Sequence, residues 1–325
     1  MHWVRPKGLA AALRVAAMVA LSAGVAQAYP DRPIRIVAPF PAGGLVDVLA
    51  RALGDEMTKS MHQPVIIENR PGAGGNVGAE FVARSSADGY TLLMTSPGIQ
   101  SINQFLYRAM PFDPATAFVP ISLVADMSMV VVVHPKTGIT TLAQLIDFAH
   151  AHPGKLNFGS AGIGTTGHLG LELLMHAADM RFAHIPYKGS APSITDLIGG
   201  QIDGVVDNPP SVLAHIQSGA ITALAVAGRQ RLAVLPNLPT AAEAGLGAWE
   251  ASSWFGLAAP AGTAPDIIAR LNAEVAAALR SPRVQALGDR GMTIVGDTPQ
   301  AFAELIVAER RKWGDIIKRA NITAE

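Results

Sequence analysis

Short β-branched runs alternate with amphipathic stretches along this chain, and that alternation restricts it to βα units around mostly parallel sheets. Ile34 to Ala38, Val65 to Glu68 and Thr91 to Thr95 read as strands, with helices from Leu45 to Met61 and Asn76 to Arg84 between them. A further strand spans Val119 to Val124. The pattern restarts near residue 128 with the apolar run Met129 to Val133, a helix capped at Thr140 or Thr141, and a strand at Leu156 to Phe158. Beyond it, helices over Thr165–Ala178, Ala191–Ile198 and Ser211–Gln217 alternate with strands at Phe182–Ile185, Ile202–Val206 and Ile221–Val226. Ser253 to Ala259 reads as a strand returning to the first set, and prolines open the last two helices, Pro265 to Leu279 and Pro299 to Arg319. The element order predicts an α/β protein of two lobes, with residues 29–126 and 252–325 in the first and 127–251 in the second. Two strands joining such lobes allow hinge closure on a ligand.

Charge and cysteine usage narrow the function. The chain balances 25 basic against 25 acidic residues, which removes the electrostatic footprint of a nucleic-acid binder. It has no cysteine, so disulfides, thiolate metal sites and cysteine nucleophiles are all excluded. The first 28 residues differ in kind: Arg5, Lys7 and Arg14 precede an apolar run from Val15 to Ala26, closed by Ala26-Gln27-Ala28. That is a secretory signal peptide, with cleavage expected after Ala28. The run falls short of the ~20 residues needed to span a bilayer. Export without cysteine fits a bacterial periplasm, and no membrane insertion of the mature chain is expected.

Three glycine-rich loops stand between a strand and a helix: Pro39 to Gly44, Asn69 to Asn76 and Gly159 to Thr166. Glycine lets backbone amides approach a ligand, and the following helix presents unpaired N–H groups and a positive dipole end. Such loops in both lobes would line a cleft suited to carboxylates, at the carboxyl ends of strands. Hydroxyl donors come from Ser160, Thr165 and Thr166. Asp47, in the first turn of its helix, is expected to orient the Gly43-Gly44 loop, since a carboxylate facing an anionic ligand would repel it. Asp207, at a strand end before Asn208-Pro209-Pro210, either accepts from a ligand donor or simply forms a turn.

Other chemistries fit less well. Gly162 to Gly167 matches G-x-G-x-x-G, but the next strand ends in His184-Ile185-Pro186 without the acid a ribose needs. Ser160 follows Phe158-Gly159, so the G-x-S-x-G elbow fails at its first glycine. His168, Glu172 and His176 share one helical face without an H-E-x-x-H pair. No catalytic residue, metal or cofactor is expected. Competing readings are an exported hydrolase or isomerase using Ser160 with a histidine, and a ligand sensor serving a signalling partner.

The loops belong to an ordered series that also includes Pro33-Ile34-Arg35, Asp88-Gly89-Tyr90-Thr91-Leu92, His168-Leu169, Pro186-Tyr187-Lys188-Gly189-Ser190-Ala191-Pro192, and Pro239-Thr240 with Glu243-Ala244-Gly245. The series resembles the Bug-type substrate-binding receptors of the tripartite tricarboxylate transporter family, over essentially the whole mature chain. The resemblance implies a type II periplasmic binding protein fold, two lobes joined by two hinge strands with the cleft between them. It implies a monomer that delivers a small organic acid (a di- or tricarboxylate, an aromatic acid or an acidic amino acid) to inner-membrane permease subunits. The first lobe's ligand residues then correspond to Phe40, Ala42, Gly43, Gly44, Asp47, Gly72, Ala73 and Gly74, with Ser96 in the variable segment Ser96 to Ser101. The second lobe's correspond to Ser160, Ala161, Gly162, Thr165 and Thr166, with a facing position on or near Asp207.

Overall fold

The computed structural model describes residues 1–2, 29–187 and 189–323. Residues 3–28, which hold all but the first two positions of the expected signal peptide, fall outside this set, as does Lys188 of the Pro186–Pro192 segment. The chain divides into two compact units, Met1–Asp31 and Arg32–Glu325, and every described strand and helix belongs to the second.

In chain order the second unit begins with strand β1 (Ile34–Ala38), helix α1 (Leu45–Met61), β2 (Val65–Asn69), α2 (Asn76–Ala83) and β3 (Thr91–Thr95). A π-helical turn, Gly98–Ile102, runs into α3 (Asn103–Leu106), and then come the long β4 (Phe118–Ser128) and β5 (Val130–Val133). Next are α4 (Leu142–Ala151), β6 (Asn157–Ser160), α5 (Thr166–Ala177), β7 (Ala183–Pro186), α6 (Ser190–Ile198), β8 (Gly204–Asp207), α7 (Pro209–Gln217) and β9 (Thr222–Val226). The chain closes with β10 (Ser252–Pro260), α8 (Pro265–Leu279), α9 (Pro282–Gln285), β11 (Thr293–Ile294) and α10 (Pro299–Arg319).

Two sheets form. The first has order β11-β4-β10-β3-β1-β2 and the second β7-β6-β8-β5-β9. Pairs β1–β2, β1–β3, β6–β7 and β6–β8 are parallel, whereas β10 runs antiparallel to both β3 and β4, and β5 antiparallel to β8 and β9. The molecule is therefore a two-lobed α/β protein. Buried on both faces, β5 shows why its sequence is continuously apolar: Val130 and Val132 join a core with Ile194, Leu197 and Val205, while Val131 and Val133 join another with Leu145, Leu169 and Trp249. Where the chain crosses between sheets, the Met129 amide donates to the Ala251 carbonyl (3.0 Å) and the Ala227 amide donates to the Met129 carbonyl (2.8 Å).

Helix α10 spans more than one core. Phe302 and Ile306 near its start pack with Leu123 and Trp254 of the first sheet. Trp313, Ile316 and Ile317 near its end share a core with Leu169, Leu171 and Leu174 of α5 in the second lobe. Boundaries differ from the sequence reading at two functionally relevant places. Asp207 ends β8 and α7 begins at Pro209 rather than Ser211. Gly159 and Ser160 belong to β6, because parallel pairing with β7 continues through Ser160↔Pro186.

Candidate functional site

A cavity of about 380 Å³ lies where the N-terminal ends of helices from both lobes meet. Val46 of α1, Thr166 of α5 and Asn208, which precedes α7, all line it. The first-turn amides of α1 and α5 have no intrahelical acceptor, and each helix end adds a partial positive charge. At α7 the contribution differs, because Pro209 and Pro210 occupy its first two positions and carry no N–H. There the Asn208 side chain is the polar group, and no protein group pairs with its buried Oδ1.

The first lobe builds its wall from two loops and the π-helical turn. Asp47 is buried and accepts from Gly43 N at 2.9 Å, Arg51 Nε at 3.0 Å and Asn69 Nδ2 at 2.9 Å. Asn69 Nδ2 also donates to the Phe40 carbonyl at 3.1 Å. Burial pushes the Asp47 carboxyl up, but hydrogen bonds from Arg51, Gly43 and Asn69 and the Arg51 charge outweigh it and hold it below the usual range. The aspartate thus clamps the loop from behind, an orienting geometry. In the second loop, positive φ runs through Gly72, Ala73, Gly74 and Gly75. Gly74 lines the cavity, and its carbonyl accepts from Asn103 Nδ2 at 3.2 Å. A Cβ at Gly74 would stand 3.0 Å from Tyr107 Oη and 3.3 Å from Asn103 Nδ2, which at φ 63° makes glycine the unstrained choice.

In the second lobe Thr165 caps α5, its Oγ1 accepting from His168 N at 3.4 Å and donating to the Gly162 carbonyl at 2.7 Å. Thr166 Oγ1 lies 2.9 Å from Ser253 Oγ of β10. One hydroxyl proton serves that bond and the other remains available to a guest. Behind the loop, Ser160 Oγ is 2.7 Å from His184 Nε2, the His184 ring stacks on His168 at 4.0 Å, and His168 Nδ1 accepts from Gly164 N at 3.0 Å. Burial, and secondarily the neighbouring His168, lower His184 to about 4, offset in part by Glu172. A stacked imidazole pair, with His184 held neutral, therefore supports the loop.

Of the expected ligand residues, Phe40, Gly74, Ser96, Thr165 and Thr166 line the cavity. Ala42, Gly43 and Gly44 form the exposed rim before α1, and Gly72 and Ala73 an exposed rim before α2. Asp47 sits behind the first rim. Ala161 and Gly162 lead from β6 toward the cavity, while Ser160 is buried beneath it, 2% exposed. Several amides expected to face a guest are bonded within their own loops: Gly43 N to Asp47, Gly44 N to the Pro41 carbonyl at 3.4 Å, and Gly162 N to Ser160 Oγ at 3.2 Å. This moves the available donors to the first helical turns and the Thr166 hydroxyl. Asp207 is buried with its Oδ1 accepting from Asn208 N at 2.7 Å and hydroxyls of Ser190 and Ser211 beside it. Burial raises its carboxyl above the usual range despite these bonds. Asn208, its neighbour, is the residue on the cavity wall.

Asn103, Tyr107, Asn208, Ser253 and Phe255 are lining residues outside the expected set. Among the described residues no group of three His, Asp or Glu side chains stands close enough to hold a metal ion. His168 meets Glu172 at 3.5 Å, whereas His176 accepts from Arg319 Nη1 at 2.7 Å.

Two lobes around one cavity, served by helix N-termini from each, define a solute-binding protein of the type II architecture. The family model described as "Tripartite tricarboxylate transporter family receptor" matches residues 49–322. BugT of Bordetella pertussis is 39% identical over 295 residues, covering 90% of each chain. An R. palustris protein solved with adipate is 37% identical, with a TM-score of 0.77, covering 90% of this chain and 99% of that one. MatC of Rhodopseudomonas palustris, solved with malate, is 31% identical with a TM-score of 0.73, covering 89% and 100%. The chain belongs to the tripartite tricarboxylate transporter receptor family, a family of periplasmic binding receptors and not of enzymes.

Proposed function

We propose that this protein captures a small carboxylate-bearing organic compound between its lobes in the periplasm and presents it, as a monomer, to the permease subunits of a tripartite tricarboxylate transporter. The lobes are taken as 29–126 with 252–325, and 127–251, and the chain as exported with cleavage after Ala28. The observation that carries this reading is the convergence of α1 and α5, one from each lobe, on a single cavity of about 380 Å³. The acids in the two relatives' structures, adipate and malate, support it. In this reading the carboxylate replaces water on the first-turn amides of α1 and α5 and on the Thr166 hydroxyl. The loops around Phe40, Ala42, Gly43, Gly44, Gly72, Ala73 and Gly74 and around Ser160, Ala161, Gly162 and Thr165 shape the entrance, and Asp47 fixes the first of them.

Isothermal titration against a panel of organic acids tests the proposal. A binder with Kd in the low micromolar range or tighter, about −8 kcal/mol, is the expected outcome. Silence across the panel from a folded protein would remove the proposal. Recovery of the bound acid chemically unchanged separates a receptor from a Ser160 hydrolase.

A further inference from the structure

We infer that the permease engages this protein at an outer groove between α3 and the last turns of α10, and that an acidic segment with an apolar anchor on the permease's periplasmic side occupies it. This inference rests on the transport reading above and assigns that partner a surface.

The groove, of about 620 Å³, shares no lining residue with the ligand cavity. Its floor is apolar. The Phe105 ring of α3 lies over Gly314 of α10, where an added Cβ would stand 2.7 Å from the ring, and Ile317 and Ile322 continue the floor. Gly314 makes room for an aromatic side chain that stays 42% exposed. Arg310, Arg311 and Lys318 stand around that floor with Asp315 as the one carboxylate among them. Arg310 is fixed by two neutral groups, its Nη2 donating to the Gln100 carbonyl at 3.2 Å and to the Pro114 carbonyl at 3.1 Å. Among the described residues Arg311 and Lys318 form no ion pair.

An excess of cations around an exposed aromatic ring fits an acidic protein segment that inserts an apolar side chain between them. An anionic bilayer fits less well, because it is flat, the ring lines a concavity, and Asp315 would face the lipid headgroups. A second copy docking by the same face would set like charges against each other.

The place of the groove gives the permease something to read. Helix α3 turns Asn103, Leu106 and Tyr107 to the ligand cavity and Phe105 to the groove. Leu106 also meets the second lobe, since a Cβ at Gly164 would stand 2.5 Å from its Cδ1. On the other wall, Ile317 and Ile322 share a core with Leu169 and Leu174 of α5. Gln100, which holds Arg310, belongs to the π-helical turn whose Gly98 and Ile102 line the cavity. Both walls of the groove are thus packed against the second lobe, and a rearrangement of the lobes changes the surface offered to the partner.

Co-flotation with proteoliposomes carrying the permease subunits tests this, beside protein-free liposomes of neutral and of phosphatidylglycerol-rich composition. The wild-type protein should bind the permease vesicles, more weakly as salt rises. Arg311→Glu with Lys318→Glu should weaken that binding at least about tenfold, while the melting temperature and the affinity for the acids of the titration panel stay as in wild type. Phe105→Ala should weaken it similarly and leave the salt dependence in place. Lys59→Glu with Arg84→Glu, an equal charge change at the ends of α1 and α2, should leave binding unchanged. Charge-reversed protein that binds the permease vesicles like wild type would overturn the inference, whatever Phe105→Ala does. Binding to the phosphatidylglycerol vesicles alone, lost on charge reversal and not increased by the permease, would overturn it in favour of the bilayer. A dimer in sedimentation that the reversal dissolves would overturn it in favour of a second copy. Acid binding without wild-type binding to the permease vesicles would remove this surface and leave the receptor standing, whereas a folded protein that binds neither acid nor permease removes both.

Discussion

Three residues carry distinct predictions about how the cavity is held. Gly44 has φ −74° and ψ 169°, a conformation open to any residue, and an added Cβ would meet only the Pro41 carbonyl at 3.3 Å. Gly44→Val should therefore cost only about 1 kcal/mol of stability, the loss of a tolerated N-cap residue plus one tight contact. It should cost at least tenfold in affinity, because a branched side chain then screens the start of α1; unchanged affinity by titration calorimetry would contradict this role. Gly74 is the opposite case. Its φ of 63° and its contact with Tyr107 Oη make Gly74→Ala a backbone and packing change together, costing roughly 1–2 kcal/mol of stability by urea unfolding as well as affinity. Asp47→Asn removes the charge that Arg51 pairs with and replaces one of the two acceptor oxygens by an NH2 donor, so Gly43 N and Asn69 Nδ2 cannot both keep their partner, with an expected loss of about 1–3 kcal/mol. A crystal structure of that variant should show the Pro41–Gly44 rim displaced, and an unmoved rim would assign Asp47 no orienting role.

Elements differ in how much of them the sequence discloses. Helices α8 and α10 are legible to the residue, Pro265–Leu279 and Pro299–Arg319, because a proline opens each and the apolar period is sustained. The π-helical turn Gly98–Ile102 and the two-residue β11 are not, since neither is long enough to show a period. The same contrast governs the cavity. Gly74 and Thr165 announce themselves in glycine-rich loops, whereas Phe255 stands in a strand whose residues all read as core. Asn103 and Tyr107 are placed by that same π-helical turn, which leaves no mark in the residue pattern. The β6–α5 loop yields a prediction of its own. His184 is held neutral, at about 4 against an ordinary 6.5, so the unfolded chain binds the proton more readily than the folded one. Stability is then full above pH 6.5, falls as pH drops below it, and levels off near 4. Since the ring is only partly buried, a loss of about 1–2 kcal/mol is the discounted expectation. Urea titrations across that range should show it, and His184→Asn should flatten the slope; a wild-type profile without slope there would count against a neutral His184.

At the scale of the molecule, the second lobe is tied to the first by more than the two crossing strands. Trp313 is fully buried in a core that joins Leu169, Leu171 and Leu174 of the second lobe to Ile102 and Leu106 of the first, on a helix whose other end packs on the first sheet. Trp313→Ala should cost about 3–5 kcal/mol and split one unfolding transition into two, as coupled lobes come apart. A single transition with unchanged midpoint in calorimetry would show that α10 does not couple them. The order β11-β4-β10-β3-β1-β2 has a further consequence in time. As the chain emerges, β1, β2 and β3 appear early yet must wait for β10, which inserts between β3 and β4 only after every strand of the other sheet has been made. The sheet that starts second is complete first, and until residue 260 arrives the nascent first sheet keeps a gap at its centre that a holding chaperone would have to shield.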